Sequence, residues 1–302
     1  MPETIGFIGL GHMGLPMAQR LQSAGFALRV YNRSPEKAKP LVEKGATVAK
    51  SPPEVATPGG IVVTMLADDK ALEAVATDEL ARALGQGGVH VSMSTVSPAT
   101  NAKLAEGFVR YGAAVVAAPV FGRPEAAGAG KLWICTSGPQ SPKQRVKPVF
   151  DALGQAVFDF GETVGSANVV KLAGNFMLTA AIEAMAEASA MAEKNGVPRE
   201  QLLKMLTQSL FNCQVYNGYA ARIIDADFEK VGFGPSTGIK GHGPCPPNRH
   251  RHARTDAVPE HPVRSLRFGD RQRPLKVRRS RPGAGCGGRC GAQVVSGMAT
   301  QK

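Results

Sequence analysis

Residues 4–16 read TIGFIGLGHMGLP: an apolar run, glycines at 9, 11 and 14, then an amphipathic run to about residue 25. No other feature of the chain restricts its fold as much. The spacing G-x-G-x-x-G follows a predicted strand and opens a predicted helix, as in the first turn of a dinucleotide-binding unit. Gly9 permits the tight turn, Gly11 lets the backbone approach a pyrophosphate, and Gly14 lets helix and strand pack closely. The helix N-terminus offers unpaired N–H groups to the phosphates. The expected phosphate cradle is therefore Gly9, Leu10, Gly11, His12, Met13 and Gly14.

The rest of the first half repeats the strand–helix alternation. Short β-branched runs predict strands at 4–9, 27–31, 46–50, 60–65, 89–93, 113–118 and 131–137. Between them, segments 13–25, 34–45, 68–76 and 97–112 predict helices, several opening on Ser, Asp or Pro and closing on Gly. This order predicts an α/β fold, a doubly wound, mostly parallel sheet of Rossmann type covered on both faces. From 165 to about 196 the pattern becomes one long helix rich in Ala, Met and Glu, followed by a second at 198–210. The helical signal fades after residues 219–233. The expected division is 1–163 as the NADP-binding domain, 164–236 as an all-α domain with a long interdomain helix, and 237–302 as an anomalous basic tail.

Charge separates the body from that tail. The 302-residue chain has a formal net charge of +12. Residues 237–302 hold 14 Lys and Arg against 3 Asp and Glu, so the body is close to neutral. Five scattered cysteines predict no disulfide framework, and no signal peptide is expected ahead of the first strand. The most apolar helical stretch, 175–192, is interrupted by Glu183 and Glu187, which argues against a membrane span. A cytoplasmic protein with no membrane partner is expected.

The end of the second predicted strand bears on the cofactor. A site for NAD usually has Asp or Glu there to accept from the ribose 2′-hydroxyl, whereas this chain has Asn32, Arg33 and Ser34. A guanidinium holds a 2′-phosphate that a carboxylate would repel, so NADP is the expected cofactor.

Three further stretches combine with the glycine loop: SMSTVSP at 92–98, APVFGRPEAAGAGKL at 118–132 and GSANVVKLAGNF at 165–176. Together they resemble the β-hydroxyacid dehydrogenases, which include 3-hydroxyisobutyrate dehydrogenase and the tartronate and glyoxylate/succinic semialdehyde reductases. The resemblance covers about residues 4–235. It implies that Lys171 is the catalytic acid/base and that Asn175, one helical turn later on the same face, orients the substrate. A lysine whose pKa is lowered by burial can both give and take a proton near neutrality. The resemblance also places Met65, Leu66, Ala67 and Thr95 along the cofactor, Thr95 near the nicotinamide and the substrate. It implies a small hydroxyacid or semialdehyde substrate and a homo-oligomer where the helical domain is complete. Lys171 argues against the imine reductases, which share the architecture but generally lack that lysine.

The family's substrate loop normally reads Ser-Gly-Gly; here it is Phe121-Gly122-Arg123. A small polar residue becomes a large apolar one and a glycine becomes a cation. A changed substrate pocket is expected, with Arg123 facing an acid group. Lys240 in TGIK matches a family lysine that reaches the cofactor, and there the resemblance stops. From Gly241 onward, back-translation with freely chosen codons is compatible with a one-base frameshift away from a family-like helical sequence. A nucleic-acid-binding tail has no aromatic interleaving to support it, and the tail's Cys and His spacing matches no common zinc pattern, so no metal is expected. The alternative function is a non-catalytic dinucleotide-binding protein whose basic tail contacts nucleic acid.

Overall fold

The computed structural model describes residues 3–226; Lys240 and the basic tail from 237 lie outside the described residues. The described chain opens with β1 (Thr4–Ile8), α1 (Gly14–Ser23), β2 (Ala27–Tyr31), α2 (Lys39–Val42) and β3 (Thr47–Val48). There follow β4 (Ile61–Thr64), α3 (Asp69–Val75), α4 (Asp78–Leu84), β5 (Val89–Ser92), α5 (Pro98–Val109) and β6 (Ala114–Ala117). These six strands form one sheet in the order β3-β2-β1-β4-β5-β6, with every pairing parallel.

Period-2 alternation assigns each strand residue to one of two cores. Ile5, Phe7, Val30, Val63, Val91 and Val116 point to the face covered by α1 and its neighbours. Ile8, Val62 and Val115 point to the other, with Leu72, Leu80, Leu84 and Phe108 from the covering helices. Phe7, Phe108 and Leu80 are fully buried, and truncating any of them to Ala removes roughly 2–5 kcal/mol. His90 on β5 is buried among them with Thr64: it stacks on Phe108 at 5.1 Å, and its Nε2 lies 3.0 Å from the Thr64 hydroxyl.

The strand expected at 131–137 forms, but not in that sheet. It is β8 (Leu132–Thr136) of a second sheet ordered β7-β8-β9, with β7 (Val120–Phe121) and β9 (Gly154–Asp159). The reason is connection length. Only α6 (Pro124–Gly128) and short loops separate β7 from β8, whereas a parallel crossover needs a dozen or more residues. The chain therefore returns antiparallel, Phe121 opposite Trp133. Two helices, α7 (Gln140–Arg145) and α8 (Lys147–Leu153), then give β9 the room to lie parallel to β8. The helix expected over 34–45 is reduced to a 3-10 turn at Pro35–Ala38 and the single turn of α2. Pro40 lacks an N–H and is tolerated only in a helix's first turn.

The helical region consists of α9 (Ser166–Lys194), α10 (Arg199–Gln208) and α11 (Gln214–Ile224). Gly165 precedes α9 at φ +105°, and a Cβ there would lie 2.8 Å from the Pro98 carbonyl oxygen. Only glycine lets the helix start this close to α5. Met185, Leu203 and Ala220 pack the three helices together. By length and composition alone α9 is long and apolar enough to cross a membrane. Its first turns are instead held in the fold, with Ala167, Asn168, Lys171 and Asn175 buried.

Candidate active site

The glycine loop follows β1, beside the junction where the sheet order reverses between β1 and β4, the usual ligand crevice of an open parallel sheet. Gly9 has φ +99°, and a Cβ there would meet the Met65 carbonyl oxygen at 2.3 Å. A Cβ on Gly14 would lie 1.8 Å from the Gly9 oxygen, so α1 seats directly on the loop. At Gly11 nothing lies within 4 Å, and that open space is where a phosphate would sit. Among the described residues the N–H groups of Gly11, His12 and Met13 donate to no protein acceptor. Leu10 differs: its side chain is in the core and its N–H is taken by the Asn32 carbonyl oxygen at 2.8 Å.

Asn32 donates its other amide group to the Ser34 carbonyl oxygen at 2.9 Å. Arg33 between them is exposed and has no ion-pair or hydrogen-bond partner among the described residues. Met65 and Leu66 follow β4, the first donating to the Ile8 carbonyl oxygen at 3.0 Å and the second to the Ser94 hydroxyl at 2.8 Å. Exposed Ala67 continues this loop, and half-buried Thr95 follows β5. The expected cofactor residues on β1, β2, β4 and β5 thus share the C-terminal edge of one sheet.

Of the expected reaction residues, Lys171 and Asn175 lie on the first turns of α9, with Phe121 packed against that stretch. Asn168 fastens the first turn of α9 to the loop bearing Thr95, donating to the Val96 carbonyl oxygen at 3.2 Å and accepting from Asn101 at 2.9 Å. One turn later Lys171 is 8% exposed. Burial pushes its pKa down to about 8, with a smaller opposing pull from Cys135 on β8. Burial also raises the Cys135 thiol, which the amine pulls back down. The Phe121 ring lies against Lys171, with Nζ 3.8 Å from its centroid. Asn175 is 2% exposed, and neither polar atom of its amide has a partner among the described residues. A buried, unpaired amide is costly unless a ligand completes it. Gly122 adopts φ +139°, and the Arg123 guanidinium lies 5.3 Å from the Tyr219 ring on α11.

Gly174, Cys135, Asn168 and Tyr219 were not anticipated from the sequence. For Gly174 a signal existed, since a glycine inside a long helix costs about 1 kcal/mol and usually has a packing reason. The unpaired Asn175 amide and the open cradle at Gly11 fit a nicotinamide dinucleotide and a small polar substrate.

Known proteins share the sequence pattern and the fold. The NAD-binding domain of 6-phosphogluconate dehydrogenase matches residues 4–161, and the NAD-binding domain of NADP-dependent 3-hydroxyisobutyrate dehydrogenase matches residues 165–234. The chain is 42% identical over 238 residues to the oxidoreductase YfjR of Bacillus subtilis, covering 78% of this chain and 83% of the relative. It is 32% identical over 216 residues to glyoxylate/succinic semialdehyde reductase 2 of Arabidopsis thaliana, covering 71% of this chain and 60% of that protein. Its fold is shared with Mycobacterium tuberculosis 3-hydroxyisobutyrate dehydrogenase, with a TM-score of 0.66 at 24% identity over 80% of this chain and 92% of that one.

Proposed function

The chain belongs to the β-hydroxyacid dehydrogenase family, and from that premise we propose that it interconverts a small hydroxyacid and its aldehyde or keto form with NADP, using Lys171 as acid and base. An NAD(P)-dependent hydroxyacid dehydrogenase or reductase activity follows from the family; the cofactor preference, the lysine's role and the substrate class are our reading. The observation that carries it is Lys171 itself: a buried amine with a pKa near 8, one turn from an unpaired buried amide.

When bound, the dinucleotide supplies or accepts a hydride at its nicotinamide. Gly11, His12 and Met13 present N–H groups for its pyrophosphate. Arg33 follows β2, is exposed and has no partner among the described residues, which supports a role as the partner of a 2′-phosphate. In reduction the Lys171 ammonium donates a proton to the substrate's carbonyl oxygen as that oxygen becomes a hydroxyl. In oxidation the free amine takes the proton back. Asn175 orients the same oxygen or its neighbour, which completes the hydrogen bonds that its amide lacks. Arg123 offers a charge partner for the substrate's acid group at the rim.

The proposal extends to the tail. A one-base frameshift after Lys240 is supported by family matches that end at residue 234 and by the change of composition beyond it. Resequencing the DNA across the codons for 233–247 tests that part.

The function is tested by NADPH oxidation against a panel of small aldehyde acids, glyoxylate and succinic semialdehyde among them. The expected result is turnover that falls at least about a thousandfold in Lys171→Ala, with NADPH affinity retained. Turnover unchanged by Lys171→Ala would reject the lysine's role.

A further inference from the structure

Gly174 stands between Lys171 and Asn175 on α9, and the Phe121 ring fills the space where a side chain would be. A Cβ on Gly174 would lie 2.4 Å from the Phe121 Cζ and 2.8 Å from its Cε1. The same ring turns toward Lys171, its centroid 3.8 Å from Nζ. Ring and amine are therefore held together by a contact between segments 53 positions apart in the chain.

We propose that Phe121 is a positioning residue for Lys171, its ring fixing the amine on α9 and setting the balance between ammonium and free amine. The inference rests on the reading of Lys171 as proton donor and acceptor, and it deepens that reading. Two opposed effects meet in one side chain. As an apolar cover the ring keeps water off Nζ, which disfavours the charged form. As a π face it carries negative charge density toward Nζ, which favours the charged form. A residue that only filled space would have the first effect alone.

The surroundings leave this contact as the adjustable element. Cys135 faces Lys171 from β8, and its burial-raised thiol is neutral near pH 7. Arg123, two residues beyond Phe121, lies over Tyr219 of α11. From α5 the contact to α9 is the neutral Asn101, and β6 has only Ala and Val. Leu203 of α10 and Ala220 of α11 pack on α9 near Met185, with Tyr216 and Tyr219 beside them.

Opposed effects give substitutions of opposite sign. Phe121→Leu keeps a dry cover and removes the π face, so Lys171 should titrate lower by about half a pH unit to one unit. Phe121→Ser admits water and should move it upward by about a unit or more, toward the value of a solvated lysine. Phe121→Tyr keeps the face and should leave it within a few tenths of a unit.

The experiment uses the full-length protein without substrate or cofactor. Competitive acetylation of its lysines by acetic anhydride across a pH series, read at the Lys171 peptide by mass spectrometry, gives the titration directly. Opposite shifts for Leu and Ser, with Tyr near the parent, are the expected result. No shift, or shifts of the same sign for Leu and Ser, overturns the proposal. The pH dependence of kcat/KM, measured on the same variants, should follow the labelling. If labelling shifts as expected while the rate profile does not, Phe121 still holds the amine and it is the acid/base role of Lys171 that fails.

Discussion

The Asn32 side-chain oxygen accepts a hydrogen bond from the Leu10 N–H at 2.8 Å, tying the end of β2 to the glycine loop. With its amide nitrogen committed to the Ser34 carbonyl, Asn32 is used up in holding the loop. On the proposed reading, recognition at the adenosine end falls to the next residue, Arg33, which has no protein partner among the described residues. Arg33→Ala should raise the KM for NADPH roughly 10- to 100-fold and change that for NADH little, since one charge-assisted contact is worth about 1.5–3 kcal/mol. Initial rates with both cofactors decide this; equal losses would show that Arg33 does not read the 2′-position.

Two glycines in one loop should respond differently to the same methyl group. Gly11→Ala places its Cβ in open space, so the protein should melt within about 2 °C of the parent yet bind NADPH far more weakly. Gly14→Ala drives its Cβ to 1.8 Å from the Gly9 oxygen and should lower stability by about 2 kcal/mol or more before any ligand is added. Thermal melts with and without NADPH separate the two.

Lys171 links rate and stability to pH. With its pKa lowered from 10.5 to about 8, carbonyl reduction should run at a plateau below pH 8 and decline above it. Alcohol oxidation should rise through the same range, because it needs the free amine. For stability, the unfolded chain holds the lysine's proton more tightly than the folded one. This group's contribution therefore improves as pH rises from about 8 to 10.5, and at pH 7 the buried charge costs about 3 kcal/mol. Lys171→Met should accordingly abolish turnover and increase unfolding free energy at pH 7 by about 1–3 kcal/mol, read by urea titration. A destabilised Lys171→Met would contradict this.

His90 supplies the acid limb. Complete burial pushes its pKa down to about 4, and its Nδ1 has no partner among the described residues. The folded state thus resists protonation that the unfolded chain accepts. Stability present above pH 6.5 should be lost between about 6.5 and 4, by about 3 kcal/mol in total from this residue. His90→Leu should flatten the pH dependence in that window, whatever it does to the absolute value.

The sequence was most legible where one residue type answers one backbone demand. Gly9 and Gly14 could be assigned roles because no other residue tolerates that φ or that approach, and both assignments match the geometry. Strands β1, β4 and β6 were readable because residues buried on both faces give near-continuous apolar runs, and β2 and β5 because β-branched or apolar residues alternate along them. The second sheet was not: β7 has two residues, and β9 reads GQAVFD with most of its side chains exposed, so neither carries a strong period. Lys171 and Asn175 were singled out because GSANVVKLAGNF resembles the family's helix, but the neighbours of Lys171 were not. Phe121 and Cys135 reach it only through the path of β7 and β8, and nothing in their local sequence records that meeting.

The 29-residue α9 has a mechanical consequence. Anchored at Gly165 against Pro98, it is a rod about 43 Å long, with Lys171 about 9 Å and Met185 about 30 Å from the anchored end. A tilt of about 5° around that end displaces Met185 by nearly 3 Å but the lysine by less than about 1 Å. The amine sits near the fulcrum of a long lever, and the settling of α10 and α11 at the far end scarcely moves it.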